Sequence, residues 1–468
     1  MFIKQLYTPC LSEAAYFIES NGEAAIIDPL RDTDVYHELA KERNATIRYI
    51  FETHFHADFV SGHLDLQRAT GAPIVFGPNT QTRFPIHRAH DKETFRIGNI
   101  QLIALHTPGH TIESTCYLLI DESGKPHALF SGDTLFVNDV GRPDLGSGNN
   151  STEELASMLY DSLHEKLLKL PDDVIVYPAH GPGSSCGKNI GPEKQSTIGE
   201  QKLSNDALQH NDRTSFIESV TAGLNEPPRY FEENARINRE GYESLTSLLE
   251  RALSFLSIES FKEAAQEPES IILDTRQPEI FTEGFVPESL NIGLNGRLAE
   301  WAGNLIRFDQ SILLITDAGQ EKETIIRLAR VGFNKFKGIL QGGFDAWKEA
   351  GEQIDMIINV EPDELAMDIP FDDHLVIVDV RGETEFANAH VKDAVNIPLE
   401  EMPDPASIAN IEDTQNLYIH CASGYRSVTA SSWLKRQGIH NLRNIVGGFK
   451  NIETEQRIEI VKDDSLLN

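Results

Sequence analysis

The chain has 468 residues, of which 40% are hydrophobic and 24% charged, a balance that excludes a disordered polypeptide and fits a globular protein of about three domains. Its 73 acidic against 41 basic side chains give a formal net charge of -32, which disfavours nucleic acid and anionic membrane as partners. No apolar run is long enough for a bilayer span, the stretch from Met1 to Thr8 lacks the order of a secretory signal, and Cys10, Cys116, Cys186 and Cys421 are too scattered for a disulfide framework; a cytoplasmic compartment is expected.

In chain order, the segments 24–29, 47–51, 73–77, 100–105, 114–120 and 174–177 read as strands, with helical periodicity through Leu64, Leu66 and Ala69 and again from Ser151 to Lys169. Ser151 with Glu154 three residues later has the form of a capping box. Between the second strand and the first helix lies Thr53-His54-Phe55-His56-Ala57-Asp58-Phe59. Three other strand-like runs end in a His or Asp: Pro108-Gly109-His110, Ser131-Gly132-Asp133 and Pro178-Ala179-His180. Any one of these is an ordinary polar loop residue. Four together at strand ends are expected to converge on a metal.

The set His54-X-His56-X-Asp58, His110, Asp133 and His180 resembles the metallo-β-lactamase family over about residues 1–245. The resemblance implies an αββα sandwich with the metal at one edge of its two sheets. Two-metal members carry His after the motif's Asp; here that residue is Phe59, which has no lone pair to donate. Within the family the likeness is to persulfide dioxygenases, which implies one Fe(II) per chain held by His54, His110 and Asp133. Two imidazoles and one carboxylate leave positions open for substrate and O2. His56, Asp58 and His180 are then expected to orient ligands or bound water. Arg142, in Val140-Gly141-Arg142-Pro143-Asp144, is a candidate for binding the anionic end of a thiol carrier, and reads equally as an ordinary surface arginine. Pro227-Pro228-Arg229-Tyr230-Phe231 is a candidate for closing the same cleft. Cys186 reads either as an inert half-buried thiol or as one near the metal, on a flexible Gly/Ser loop, that relays sulfur.

After about residue 246 the sequence repeats itself. Ile271-Ile272-Leu273-Asp274-Thr275-Arg276 returns as Val376-Ile377-Val378-Asp379-Val380-Arg381, and Gln341-Gly342-Gly343-Phe344 returns as Val446-Gly447-Gly448-Phe449. Two α/β domains of one kind are expected, 246–356 and 357–468. In the second, an apolar strand runs through His420 into Cys421-Ala422-Ser423-Gly424-Tyr425-Arg426 and then a helix, a loop whose amides and Arg426 favour a thiolate. With Glu385-Phe386, His390 and Asn396-Ile397-Pro398, this copy resembles rhodanese. That implies sulfur transfer through Cys421 with Arg426 as a second catalytic residue, and Gly424 and Tyr425 binding the substrate. Cysteine phosphatases place five residues between Cys and Arg; here there are four. In the first copy Asp317 aligns with the thiol, and the domain is read as inactive.

The expected activity is oxidation of a low-molecular-weight persulfide by O2 to sulfite, coupled to a sulfurtransferase that forms or uses thiosulfate. The family makes a homo-oligomer plausible. The rival expectation is a thioester hydrolase similar to glyoxalase II, with metal-bound hydroxide as nucleophile and a fused sulfurtransferase.

Overall fold

The computed structural model describes residues 1–145, 150–210, 212–412 and 414–462. The chain forms two units: Met1–Leu248 with Ala329–Phe333, and Leu249–Leu328 with Asn334–Asn468.

In the first unit, side-chain alternation along the strands builds a four-layer sandwich. One six-stranded sheet has the order β1 (Phe2–Thr8), β2 (Glu13–Ser20), β3 (Glu23–Ile27), β4 (Thr46–Phe51), β5 (Ile74–Phe76) and β6 (His87–Arg88). The second sheet contains β7 (Thr94–Ile97), β8 (Ile100–His106), β9 (Thr115–Ile120), β10 (Pro126–Gly132), β11 (Ile175–Pro178) and β12 (Ser196–Thr197), ordered from β12 back to β7. Along β2, Ala14, Tyr16 and Ile18 face the other sheet and meet Leu102, Leu119 and Phe130. Ala15 and Phe17 face outward and pack with Tyr36, Leu39 and Leu64 of the helices α1 (Asp34–Glu42) and α2 (His63–Thr70). All eight residues of β2 are buried, because both of its faces are covered. Leu159 and Leu163 of α3 (Thr152–Glu165) cover the far face of the second sheet over Cys116, Leu118 and Val176. The expected capping box is present: Ser151 accepts from the Glu154 amide and Glu154 from the Ser151 amide.

The second unit holds two parallel five-stranded sheets of one topology. The first is ordered β13 (Phe255–Leu256), β17 (Phe336–Leu340), β16 (Ser311–Ile315), β14 (Ser270–Asp274), β15 (Leu290–Asn291). The second is ordered β18 (Ile358–Val360), β23 (Leu442–Ile445), β22 (Asn416–His420), β19 (Leu375–Asp379), β21 (Val395–Asn396), while β20 (His390–Val391) pairs with β24 (Ile460–Val461). The repeated sequences make the same contacts in each copy. Arg276 and Arg381 grip Asp274 and Asp379 through two nitrogens, with closest approaches of 2.6 Å in both, and lie 4.1 and 3.9 Å from the rings of Phe344 and Phe449.

Strand register corrects the alignment of the first copy. Asp274 pairs with Ile315 as Asp379 pairs with His420, so the residue that follows Ile315, Thr316, corresponds to Cys421. Asp317 sits one position later and Glu321 takes the place of Arg426. A hydroxyl therefore stands where the thiol is, and the positive end of the loop is reversed in charge. Among the described residues no helix is long and apolar enough to cross a membrane, and all four cysteines are free thiols.

Candidate functional site

Each residue of the candidate metal site lies just beyond a strand: His54, His56 and Asp58 after β4, His110 after β8, Asp133 after β10 and His180 after β11. Loops at the ends of rigid strands can position side chains closely without distorting the core. Three ring and carboxylate atoms converge. His110 Nε2 lies 3.4 Å and His54 Nε2 3.7 Å from Asp133 Oδ2. All three residues are buried.

The other ring nitrogens are occupied, which fixes the tautomers. The Thr53 hydroxyl donates to Asp28 Oδ2 at 2.8 Å, so the Thr53 oxygen accepts from His54 Nδ1 at 3.0 Å. His110 Nδ1 donates to the Arg142 carbonyl at 2.8 Å and His180 Nδ1 to that of Ser12 at 3.3 Å. Each ring is thus left with a bare Nε2 lone pair. Both oxygens of Asp133 are buried without a hydrogen-bond partner among the described residues. Buried carboxylate oxygens are satisfied in folded proteins, and donors 3.4–3.7 Å apart fit one ion at about 2 Å from each. The residues present fit a bound divalent metal.

The second carboxylate oxygen looks elsewhere. Asp133 Oδ1 is 3.5 Å from His180 Nε2, which is 3.5 Å from Asp58 Oδ2. Both Asp58 oxygens likewise lack a hydrogen-bond partner among the described residues. Asp58 and His180, placed by the sequence in an orienting role, therefore present bare donor atoms toward Asp133. Cys186 joins them, with its sulfur within 4.8 Å of donor atoms of Asp133 and His180. Burial first, then the charges of Asp58 and Asp133, push its thiol well above the usual range. His56 differs. Its Nε2 lies 3.1 Å from Asp28 and 3.6 Å from Glu52. Burial favours the neutral ring, yet Asp28, Glu52 and Asp58 outweigh it and raise the imidazole to about 10. His54 moves the other way, held well below its ordinary value by burial and then by His56, His110 and His180. Phe59 is fully buried and its ring lies 4.3 Å from that of His56.

Arg142 corrects an expectation. It is buried, its guanidinium donates to Asp144 at 2.7 and 2.6 Å, to the Ser185 carbonyl at 3.3 Å and to that of Asn225, and its own carbonyl holds His110. With four of its five guanidinium N–H groups engaged inside the protein, it braces the site. The Asn225 contact brings the segment before Pro227-Pro228 to the same brace. Sequence reasoning missed Asp28 and Asn238. Asn238 donates to the carbonyls of His56 and Phe59, both at 2.8 Å, and accepts from the Ser61 amide at 2.9 Å, so one side chain pins the whole loop. Asp28, in Ile26-Ile27-Asp28-Pro29, carried the same strand-end signal as the other donors.

In the second unit, Cys421 is buried and its sulfur accepts from the Gly424 amide at 3.1 Å. Gly424 has φ +108°, a conformation that excludes side chains and turns its N–H inward. Ser427 Oγ is 3.7 Å from the same sulfur. Arg426 does not point freely at the thiol: it forms a two-point pair with Glu385 at 2.6 and 2.8 Å. The Tyr425 hydroxyl donates to the Gly293 carbonyl of the first copy at 2.7 Å, so it too is engaged within the protein.

A two-sheet sandwich with histidines and aspartates gathered at one edge, followed by paired parallel-sheet domains, defines the class. The Metallo-beta-lactamase superfamily model matches residues 8–180 and the Rhodanese-like domain model matches 257–350 and 361–455. The chain belongs to the metallo-β-lactamase superfamily and carries two rhodanese-like domains behind the metal-site unit. It is 30% identical to a probable hydroxyacylglutathione hydrolase of Schizosaccharomyces pombe, over 48% of this chain and 91% of that protein. It is 30% identical to the human mitochondrial persulfide dioxygenase ETHE1, over 38% of this chain and 68% of that protein. A crystal structure titled metallo-beta-lactamase from Staphylococcus aureus is 33% identical with a TM-score of 0.65, covering 73% of this chain and 98% of that one.

Proposed function

We propose that the chain is an iron-dependent persulfide dioxygenase joined to a thiol sulfurtransferase. The observation that carries this reading is the His54–His110–Asp133 group: two Nε2 lone pairs and one unpaired carboxylate oxygen, with Phe59 in the place of a further donor. A ferrous ion held there would offer open positions at which O2 and a persulfide sulfur meet, the four electrons that O2 takes up coming from the sulfur. The protein's part is to keep both imidazoles in the donor tautomer through Thr53 and the Arg142 carbonyl, and to exclude a competing second donor with Phe59. The overall change is R–S–SH + O2 + H2O giving R–SH, sulfite and two protons.

Cys421 is the sulfur acceptor in this reading. Its sulfur attacks the outer sulfur of a persulfide, the donor S–S bond breaks as the new one forms, and R–SH departs with a proton. Gly424 N–H steadies the charge on Cys421 while it is free. Sulfite then takes the outer sulfur as thiosulfate and returns the thiolate; the same residues serve the reverse direction.

A second reading, hydrolysis of thioesters, is favoured by two observations: Asp58, His180 and Asp133 Oδ1 form another group of bare donors, and the Schizosaccharomyces relative bears a hydrolase name. Phe59 weighs against it. The test is His110→Ala, which is expected to lower persulfide-dependent oxygen uptake by at least about a hundredfold and to strip iron from the purified protein. Undiminished uptake overturns the assignment.

A further inference from the structure

Tyr425 sits between two observations that the sulfurtransferase reading leaves unused. Its ring lies against the first copy, on the turn that follows β15, where Gly293 and Gly296 stand. The equivalent turn of the second copy follows Asn396. The two turns correspond residue by residue, because Ile292 and Ile397 donate to Asp274 and Asp379, and Leu294 and Leu399 donate to Thr275 and Val380. Pro398 and Glu401 therefore occupy in the active copy the positions of Gly293 and Gly296.

The glycines leave room for the ring. A methyl group at Gly296 would lie 2.3 Å from Cε2 and 2.4 Å from Cζ of Tyr425, and one at Gly293 would lie 3.2 Å from Cε2. Neither residue has a positive φ, so their backbone conformation is open to any amino acid; at Gly296 the neighbour that forbids a side chain is the ring. The hydroxyl completes the seat by donating to the Gly293 carbonyl at 2.7 Å. Nearby, Ser432 of the helix that Tyr425 opens (Tyr425–Arg436) accepts from the Asn291 amide at 2.9 Å, so the helix is registered on the turn at a second point. Gly424, whose amide meets the Cys421 sulfur at 3.1 Å, is bonded directly to Tyr425.

We propose that the first rhodanese-like copy, which has lost its own thiol, completes the site of the second: the Gly293–Gly296 turn seats Tyr425 and thereby holds the Gly424 N–H against the Cys421 sulfur. Tyr425 and Gly296 are positioning residues in this account. The role assigned to Cys421 rests on the sulfurtransferase reading; the seating itself does not.

The experiment is a double-mutant cycle on the full chain with Gly296→Ala, Tyr425→Ala and both together. Two readouts are followed by peptide mass spectrometry at Cys421: sulfur loading from a synthetic persulfide, and the pH profile of alkylation by iodoacetamide. Each single variant is expected to load about tenfold more slowly and to shift the alkylation midpoint upward, because the sulfur loses an oriented N–H donor. In the Tyr425→Ala background the added methyl meets no ring, so Gly296→Ala is expected to change nothing further. An equal effect of Gly296→Ala in both backgrounds, or wild-type behaviour of both singles, overturns the proposal. If a melting curve shows that Gly296→Ala fails to fold, Tyr425→Phe replaces it; a few-fold slowing from loss of the Gly293 bond supports the seat, and unchanged loading and alkylation refute it. If wild-type Cys421 takes up no sulfur, the sulfurtransferase reading fails, and the alkylation profiles of the four proteins still decide the seating.

Discussion

At the scale of single residues, the metal site turns on Phe59. Asp58, His180 and Asp133 Oδ1 already face one another without hydrogen-bond partners among the described residues, and in the proposed function the residue after Asp58 is the one that withholds a further ligand. Its ring is fully buried against His56, and the smaller imidazole fits the space that the phenyl ring occupies. Phe59→His is therefore expected to raise the metal content of the protein from about one to about two per chain when it is loaded without air and assayed by elemental analysis. An unchanged content would mean that Phe59 does not control the second position. The donors themselves were legible in the sequence because each follows an apolar strand, and a polar residue at a strand end is a local signal. Arg142 and Tyr425 were not legible in the same way. Their guanidinium and hydroxyl are spent on Asp144, Ser185, Asn225 and Gly293, partners that only folding brings within reach.

At the scale of elements, the strand ends do more than deliver ligands. Gly132, the last residue of β10, has φ +53°, and a methyl group there would lie 2.7 Å from the Thr53 Cβ and hydroxyl oxygen. That hydroxyl relays Asp28 to His54. Gly132→Ala would thus strain the turn that presents Asp133 and push away the group that sets the His54 tautomer. The expected outcome is a roughly tenfold to hundredfold loss of iron affinity with the far-UV circular dichroism unchanged, measured by competition with a chelator. Retained affinity would show that Thr53 has room to move. Strands were readable where short apolar runs rich in branched or aromatic residues stand between polar segments. The N-terminal strands β1 and β2 were not recognised; β2 opens on Glu13-Ala14-Ala15, with no clean alternation and little of the branched or aromatic content that marked the equally buried β3, β5 and β9. The loop of the first rhodanese-like copy was misaligned by one residue for a related reason. Thr316 and Asp317 are both polar after an apolar run, and only the pairing of Ile315 with Asp274 separates them.

At the scale of the whole molecule, one chain carries a candidate metal site and a buried thiol, which the proposed function makes the source and the consumer of sulfite. Two sites in one polypeptide see each other's products at an effective concentration that separate proteins do not share. Cys421→Ser is expected to leave oxygen uptake and sulfite formation in place while thiosulfate falls to background, followed by ion chromatography of a persulfide reaction. Continued thiosulfate would remove Cys421 from the pathway. The repeat itself was plain in the sequence, since Asp274-Thr275-Arg276 and Asp379-Val380-Arg381 recur with their glycine and phenylalanine partners. What the first copy does for the second was hidden, because the fit of Gly293 and Gly296 to Tyr425 is a relation between residues more than a hundred positions apart.

The central claim is that one iron per chain, held by His54, His110 and Asp133, joins a persulfide to O2. Protein purified without air and assayed for metal beside an oxygen-electrode trace with a synthetic persulfide addresses it directly. The account predicts about one iron per chain and oxygen consumption that begins on addition of persulfide. Two zinc ions per chain, with thioester hydrolysis and no oxygen uptake, would contradict it.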